Sequence, residues 1–151
     1  ALWQVDYSWE GFQWIVPDDS QQSVIAFLRR DAAGKMLLVV CNFNPVLRKD
    51  YQMGVPNAGT YKEILNSDDV RFGGSGVTNG SVKTEKGEMH GFEQHISLTL
   101  PPMSTVYFQV PAARKHRAEK TAAAPAKKTA EKPAKAAPKR SRTKTAKTPV
   151  E

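Results

Sequence analysis

Any chemistry this chain performs must come from a short set of side chains. Two adjacent acid pairs, Asp18-Asp19 and Asp68-Asp69, stand in polar stretches. Carboxylate catalysis needs two acids opposed across a cleft, one often with a raised pKa. Sequence neighbours point apart, and turns favour Asp for their own hydrogen bonding, so neither pair reads as catalytic. His90 and His95 lie close in sequence and His116 further on, with a single cysteine, Cys41. Zinc takes three or four ligands, so no metal and no cofactor is expected. Gly74-Ser75-Gly76 sets its glycines one residue too close for a nucleophile elbow and lacks the Lys-Ser/Thr of a phosphate loop. It reads as structural, with glycine permitting positive φ. A Ser-His-Asp set that meets only in space stays open.

Aromatic and cationic groups remain. Trp3, Tyr7, Trp9, Phe12 and Trp14 crowd the first 16 residues, and all three tryptophans are among them. Their spacing fits neither a clean helix nor a clean strand. Phe12 and Trp14 read as plugging the edge of the domain's own core. Trp3 and Trp9 stay open, and rings here could instead face a neighbouring domain. Aromatic faces stack on sugars, so Trp9 and Trp14 are the candidate carbohydrate contacts. The cations gather at the other end. Residues 112–151 hold 13 of the 22 Lys+Arg and 3 of the 15 Asp+Glu, a net of +10. Residues 1–111 hold 9 and 12, a net of −3. Lys127, Lys128, Lys132, Lys135, Lys139, Arg140, Arg142, Lys144 and Lys147 could bind nucleic acid or another polyanion through counterion release. They could equally form a solvated tail.

The elements that position these groups follow from apolar pattern. Met36 to Cys41 is six apolar residues in a row, too short for a membrane span and rich enough in β-branching to read as a strand buried on both faces. Pro45 cannot donate to a ladder, so pairing should stop near it. Ser23 to Arg30 reads as a second strand, joined through Asp31-Ala32-Ala33-Gly34 as an antiparallel hairpin. Pro17-Asp18-Asp19-Ser20 reads as a turn. Tyr51, Met53 and Val55 alternate with polar or small residues, Thr60 to Leu65 forms a further strand, and Asn66 to Gly80 a long loop with a tight turn at Asn79-Gly80. Ile96, Leu98, Leu100 and then Val106, Phe108, Val110 alternate cleanly. Short strands at this spacing with no helical period predict an all-β antiparallel sandwich with Greek-key connections.

After Pro111 the composition changes. The 40 residues from Ala112 hold 12 Ala and 4 Pro with no aromatic, too little apolar surface to offset ordering entropy, so a disordered basic tail is expected over 112–151. The expected organisation is therefore a junction over 1–16, an all-β domain over 17–111 and that tail. No signal peptide and no membrane span is read. A lone buried-type cysteine, without disulfides, points to a reducing compartment such as the cytoplasm.

Several stretches taken together resemble a known family. They are Ala1-Leu2-Trp3-Gln4-Val5-Asp6, Gly11-Phe12-Gln13-Trp14-Ile15, Ser23 to Arg30, Leu38 to Val46, Tyr61 to Asp68, Gly73-Gly74-Ser75-Gly76, Asn79-Gly80, His90-Gly91 and Ser97 to Pro102. In this order and spacing they resemble the C-terminal β-domain of glycogen (1,4-α-glucan) branching enzymes, of the α-amylase superfamily. The resemblance covers residues 1 to about 110. It implies a preceding (β/α)₈ barrel that carries the catalytic Asp, Glu and second Asp. It implies a retaining transfer of α-1,4-glucan chains to α-1,6 branches through a covalent intermediate. None of those catalytic motifs is in this chain. The resemblance thus implies an accessory domain that packs on the barrel and is inactive alone, with α-glucan or glycogen as the parent's substrate. It says nothing about the basic tail, which leaves a polyanion-binding protein as the alternative reading, with a stand-alone carbohydrate-binding module as a third.

Overall fold

The computed structural model describes residues 1–113. The basic run from Lys127 to Lys147, and the disorder expected there, lie outside the described residues. Nine strands follow in chain order: β1 Phe12–Asp19, β2 Val24–Arg30, β3 Met36–Asn42, β4 Arg48–Val55, β5 Thr60–Asn66, β6 Ser81–Lys83, β7 Glu85–Met89, β8 Phe92–Leu100 and β9 Ser104–Gln109. Six form one sheet in the order β1-β2-β3-β9-β5-β6, and three form another in the order β4-β8-β7. Every pairing is antiparallel. The chain crosses between sheets before β9 returns beside β3, the long-range closure that separates Greek keys from simple meanders.

The run Met36–Asn42 lies inside the large sheet, paired with β2 on one side and β9 on the other. Both its faces are shielded, as a continuous apolar run requires. Its hairpin with β2 runs in unbroken register from Val24↔Asn42 to Arg30↔Met36. The Asp31 carboxylate accepts from the Ala33 and Lys35 amides across the loop, and Gly34 supplies its φ of 78°.

The two sheets close on one core. The large sheet contributes Ile15, Val16, Val24, Ala26, Leu28, Leu38, Val40, Tyr61, Val106 and Phe108, and the small sheet contributes Tyr51, Met53, Val55, Ile96, Leu98 and Leu100. Asn42, 1% exposed, ends β3 inside this packing. Its amide donates to the Val46 and Pro101 carbonyls and its oxygen accepts from the Asn44 amide. Where the chain leaves β3, the Asn42 side chain thus satisfies the backbone groups of Asn44, Val46 and Pro101.

Two local expectations are corrected. Pro17, Asp18 and Asp19 complete β1 rather than forming a turn, and the chain reverses over the next few residues, where Asp19 accepts from the Gln22 amide. Proline is tolerated there because β1 is the sheet's edge strand. Phe12, Gln13, Trp14 and Val16 of the same strand pair with β2. Phe12 and Trp14 do not enter the core; they stack on the sheet's other side.

Candidate interaction face

The outer side of each sheet is read from the residues that alternate with the core. On the small sheet these are Gln52, His95, Ser97 and Thr99, a polar face suited to water. The large sheet is different. Between the core positions Ala26 and Leu28 stands Phe27, between Leu38 and Val40 stands Val39, and between Val106 and Phe108 stands Tyr107. Their register is continuous: Trp14 opposes Phe27, Phe27 opposes Val39, Val39 opposes Tyr107, and Tyr107 opposes Leu65. Five strands thus place five large apolar side chains in one row across the sheet. Cross-strand neighbours of this kind pack directly. Val39 is only 2% exposed although it points away from the core, because the row covers it, while Trp14 at the edge is 50% exposed.

The aromatic end of the row is tightly built. The Phe12 and Phe27 rings are stacked with centroids 5.2 Å apart. The Trp14 ring meets both edge-on, at 4.9 Å and 5.8 Å. The Arg29 guanidinium lies 5.9 Å from the Phe12 centroid, donates to the Leu2 carbonyl at 2.7 Å and pairs with the Asp6 carboxylate. The N-terminal stretch is thereby held against this same side of the sheet.

Trp9 belongs to a different place. It opens a 3-10 turn, Trp9–Gly11, and the residue is 84% exposed. A groove of about 490 Å³ runs beside it, lined by Val5, Glu10, Phe12, Gln13, Arg30 and Asp31 among others. Sequence reasoning named Trp9 and Trp14 together; the structure sets Trp9 beside the groove and Trp14 in the apolar row, with Phe12 lining the one and stacking in the other. It did not single out Phe27, Val39 and Tyr107, and the expectation that Tyr61 and Leu65 share one face is corrected: the register slips between Glu63 and Leu65, so Tyr61 enters the core while Leu65 lies opposite Tyr107 on the outer side. The available signal was that Val24 to Leu28, like β3, is apolar without a break, a sign of two covered faces.

The remaining candidates hold the fold. Asp19 accepts from the Tyr51 hydroxyl at 3.0 Å, which together with burial pushes the Tyr51 pKa upward, burial being the larger cause. Asp68 accepts from the Ser75 hydroxyl and from the Ser75 and Val77 amides. These bonds, the Ser75 hydroxyl first, hold its carboxyl below the usual range. Asp69 caps the turn Val70–Phe72 through the Arg71 amide. Gly74 is obligatory, since a Cβ there would run into the Asp68 backbone. His90 accepts from the Gly54 amide, and His95 sits 3.7 Å from Glu85. Cys41 is buried and receives the Thr105 hydroxyl at 3.5 Å. Among the described residues no three His, Cys, Asp or Glu are grouped to hold a metal, and no helix is long and apolar enough to cross a membrane.

Residues 14–111 match the family model of the alpha amylase C-terminal all-beta domain. The chain is 47% identical over 112 residues to the 1,4-alpha-glucan branching enzyme GlgB of Francisella tularensis subsp. novicida, a match covering 73% of this chain and 18% of that protein. It is 49% identical over 110 residues to GlgB of Rubrobacter xylanophilus, covering 72% of this chain and 15% of that protein. The chain spans less than a fifth of the length of these curated relatives.

Proposed function

Because the chain belongs to the family of alpha amylase C-terminal all-beta domains, we propose that it is the accessory C-terminal domain of a 1,4-α-glucan branching enzyme of glycogen biosynthesis. In this reading residues 1–16 lead in from a catalytic (β/α)₈ barrel of the same parent, and the β-domain packs on that barrel and steadies it. The parent moves α-1,4-glucan chains to α-1,6 positions with retention, through a covalent glycosyl-enzyme intermediate, and works in the cytoplasm. The catalytic acids belong to the barrel, so this chain alone does not turn over glucan.

The observation that carries the packing role is the asymmetry of the two outer faces. The small sheet shows water Gln52, Ser97 and Thr99, whereas the large sheet shows the row from Trp14 to Leu65. A sheet with apolar residues on both sides is built to be covered twice. One side is covered by the small sheet, and the barrel covers the other. Trp14, committed to Phe12 and Phe27, belongs with this packing. The test is amylose turnover followed by iodine staining. The chain joined to its upstream barrel should lower the stain and the chain alone should leave it unchanged. A drop in staining with the chain alone would refute the assignment.

A second reading concerns the basic run alone. The net of +10 over residues 112–151 against −3 over 1–111 favours a polyanion contact for Lys127, Lys128, Lys132, Lys135, Lys139, Arg140, Arg142, Lys144 and Lys147. Neutral glucan gains nothing from that charge. Retention of the chain on heparin should fall steeply with salt and vanish when residues 114–151 are removed. Equal retention without them would end this reading.

A further inference from the structure

We infer that the two loops beyond the ends of β3 and β9 form a second contact with the parent's catalytic barrel, through Phe43, Val46 and Met103. The identity of the partner rests on the branching-enzyme reading; the position and chemistry of the surface rest on the packing of this chain. The row from Trp14 to Leu65 holds the domain across its large sheet, and this tip fixes it lengthwise.

The tip continues the open side of the large sheet. Two residues along from the row, Ile25, Cys41 and Thr105 stand opposite one another. The next outward position is Phe43, whose amide donates to the Ser23 carbonyl at 2.9 Å and carries the β2–β3 ladder one step past Asn42. By strand alternation Phe43 shares the side of Val39 and Cys41. The lead-in stretch is held at the other end of β3, by Arg29, which stands opposite Leu37. From Leu37 to Phe43 is about 20 Å of strand. That is less than the ~30 Å breadth of even a small domain, so a barrel joined at one end and lying on the row also reaches the tip.

The tip is apolar, exposed and firmly built. Phe43, Val46 and Met103 are 57%, 50% and 66% exposed. Neither 41–47 nor 100–107 contains Asp, Glu, Lys, Arg or His. Buried Asn42 ties the two loops together by donating to the Val46 and Pro101 carbonyls at 3.0 and 2.8 Å. The Met103 amide donates to the Asn44 carbonyl at 3.0 Å, and the Ser104 hydroxyl to the Pro101 carbonyl at 2.7 Å. Met103 is thereby held at a φ of 48°, a left-handed conformation that costs a residue with a side chain. Backbone fixed in this way has little freedom left to lose when its side chains are covered. An uncharged patch gains nothing from an anionic surface, and apolar protein laid over it strands no ion.

The experiment exposes the 151-residue chain, alone and joined to its upstream barrel, to hydrogen peroxide and reads Met103 sulfoxide by peptide mass spectrometry. Met53, 0% exposed, reports the fold in both samples. Met103 should oxidise far faster than Met53 in the chain alone and as slowly as Met53 in the joined protein. Phe43→Ser should restore fast oxidation of Met103 in the joined protein while Met53 stays slow, because Phe43 lies outside the core. Val46→Ser, a second surface change, should act in the same direction. Hydroxyl-radical labelling of Trp14 in the same samples reports the row independently. Trp14 protected with Met103 unprotected would overturn the inference and leave the packing reading in place. Neither protected would overturn both, and Met103 protected without Trp14 would keep the tip and end the role of the row. Protection that survives both serine variants, or protection of Met103 in the chain alone by phosphatidylcholine vesicles, would also overturn the inference.

Discussion

Trp14→Ala tests the sheet face where its contribution can be worked out. Trp14 is 50% exposed in the chain alone. An aromatic side chain carries about 150–250 Å², so about 100 Å² of Trp14 remains for a partner to cover. At about 25 cal/mol per Å² that surface contributes at most ~2.5 kcal/mol to docking, or about 70-fold in affinity. The fold itself loses less. The edge-on contacts with Phe12 at 4.9 Å and Phe27 at 5.8 Å are worth ~1 kcal/mol each, and among the described residues β1 is the edge strand of its sheet. The control is Gln52→Ala, on the polar outer side of the small sheet. Calorimetric titration of each variant into the separately expressed barrel of the proposed parent measures the difference directly. Trp14→Ala should weaken association by tens of fold and Gln52→Ala should not change it. Equal affinity for Trp14→Ala and the native chain, a loss confined to Gln52→Ala, or no association of the native pieces would refute the reasoning.

Three further outcomes follow from the packing. Asn42→Ala removes three hydrogen bonds at a site 1% exposed and strands their backbone partners. It should cost ~3 kcal/mol in urea unfolding, and a loss below ~1 kcal/mol would contradict the role given to this side chain. Gly54→Ala drives a Cβ into the Met89 carbonyl. Unless β7 shifts, this should cost ~1–3 kcal/mol, read as a lower urea midpoint with an unchanged slope. Burial, partly offset by the Asn57 backbone bond, pushes the Tyr61 pKa up from 10.0 to about 12. The folded chain therefore keeps a proton that the unfolded chain has lost. This contribution is whole below pH 10 and disappears as pH rises toward 12. Urea midpoints should fall across that window, and Tyr61→Phe should flatten the fall; a parallel decline would count against it.

Strands with a strong pattern were legible because the pattern is local. Met36 to Cys41 announces itself by continuity, and Ile96, Leu98 and Leu100 by alternation. β1 was hidden because Pro17-Asp18-Asp19 are turn formers, and an edge strand tolerates them. β6 and β7 escaped because Ser81–Lys83 and Glu85–Met89 hold little apolar surface and owe their conformation to pairing with β5 and β8. Phe12 and Trp14 were expected at the edge of the core, since an aromatic at a strand's end carries no mark of the face it will take.

By itself the order of residues determined the β class, the central strand, the family and the segregation of charge, since each depends on composition or on near neighbours along the chain. Only the tertiary structure decided which side of the large sheet stays open, and that Trp14 belongs to it while Trp9 lies in the turn before β1. The row joins Trp14, Phe27, Val39, Tyr107 and Leu65, drawn from five strands far apart in sequence. Its register is set by backbone pairing, and a shift of one residue in any strand would turn that strand's member of the row into the core.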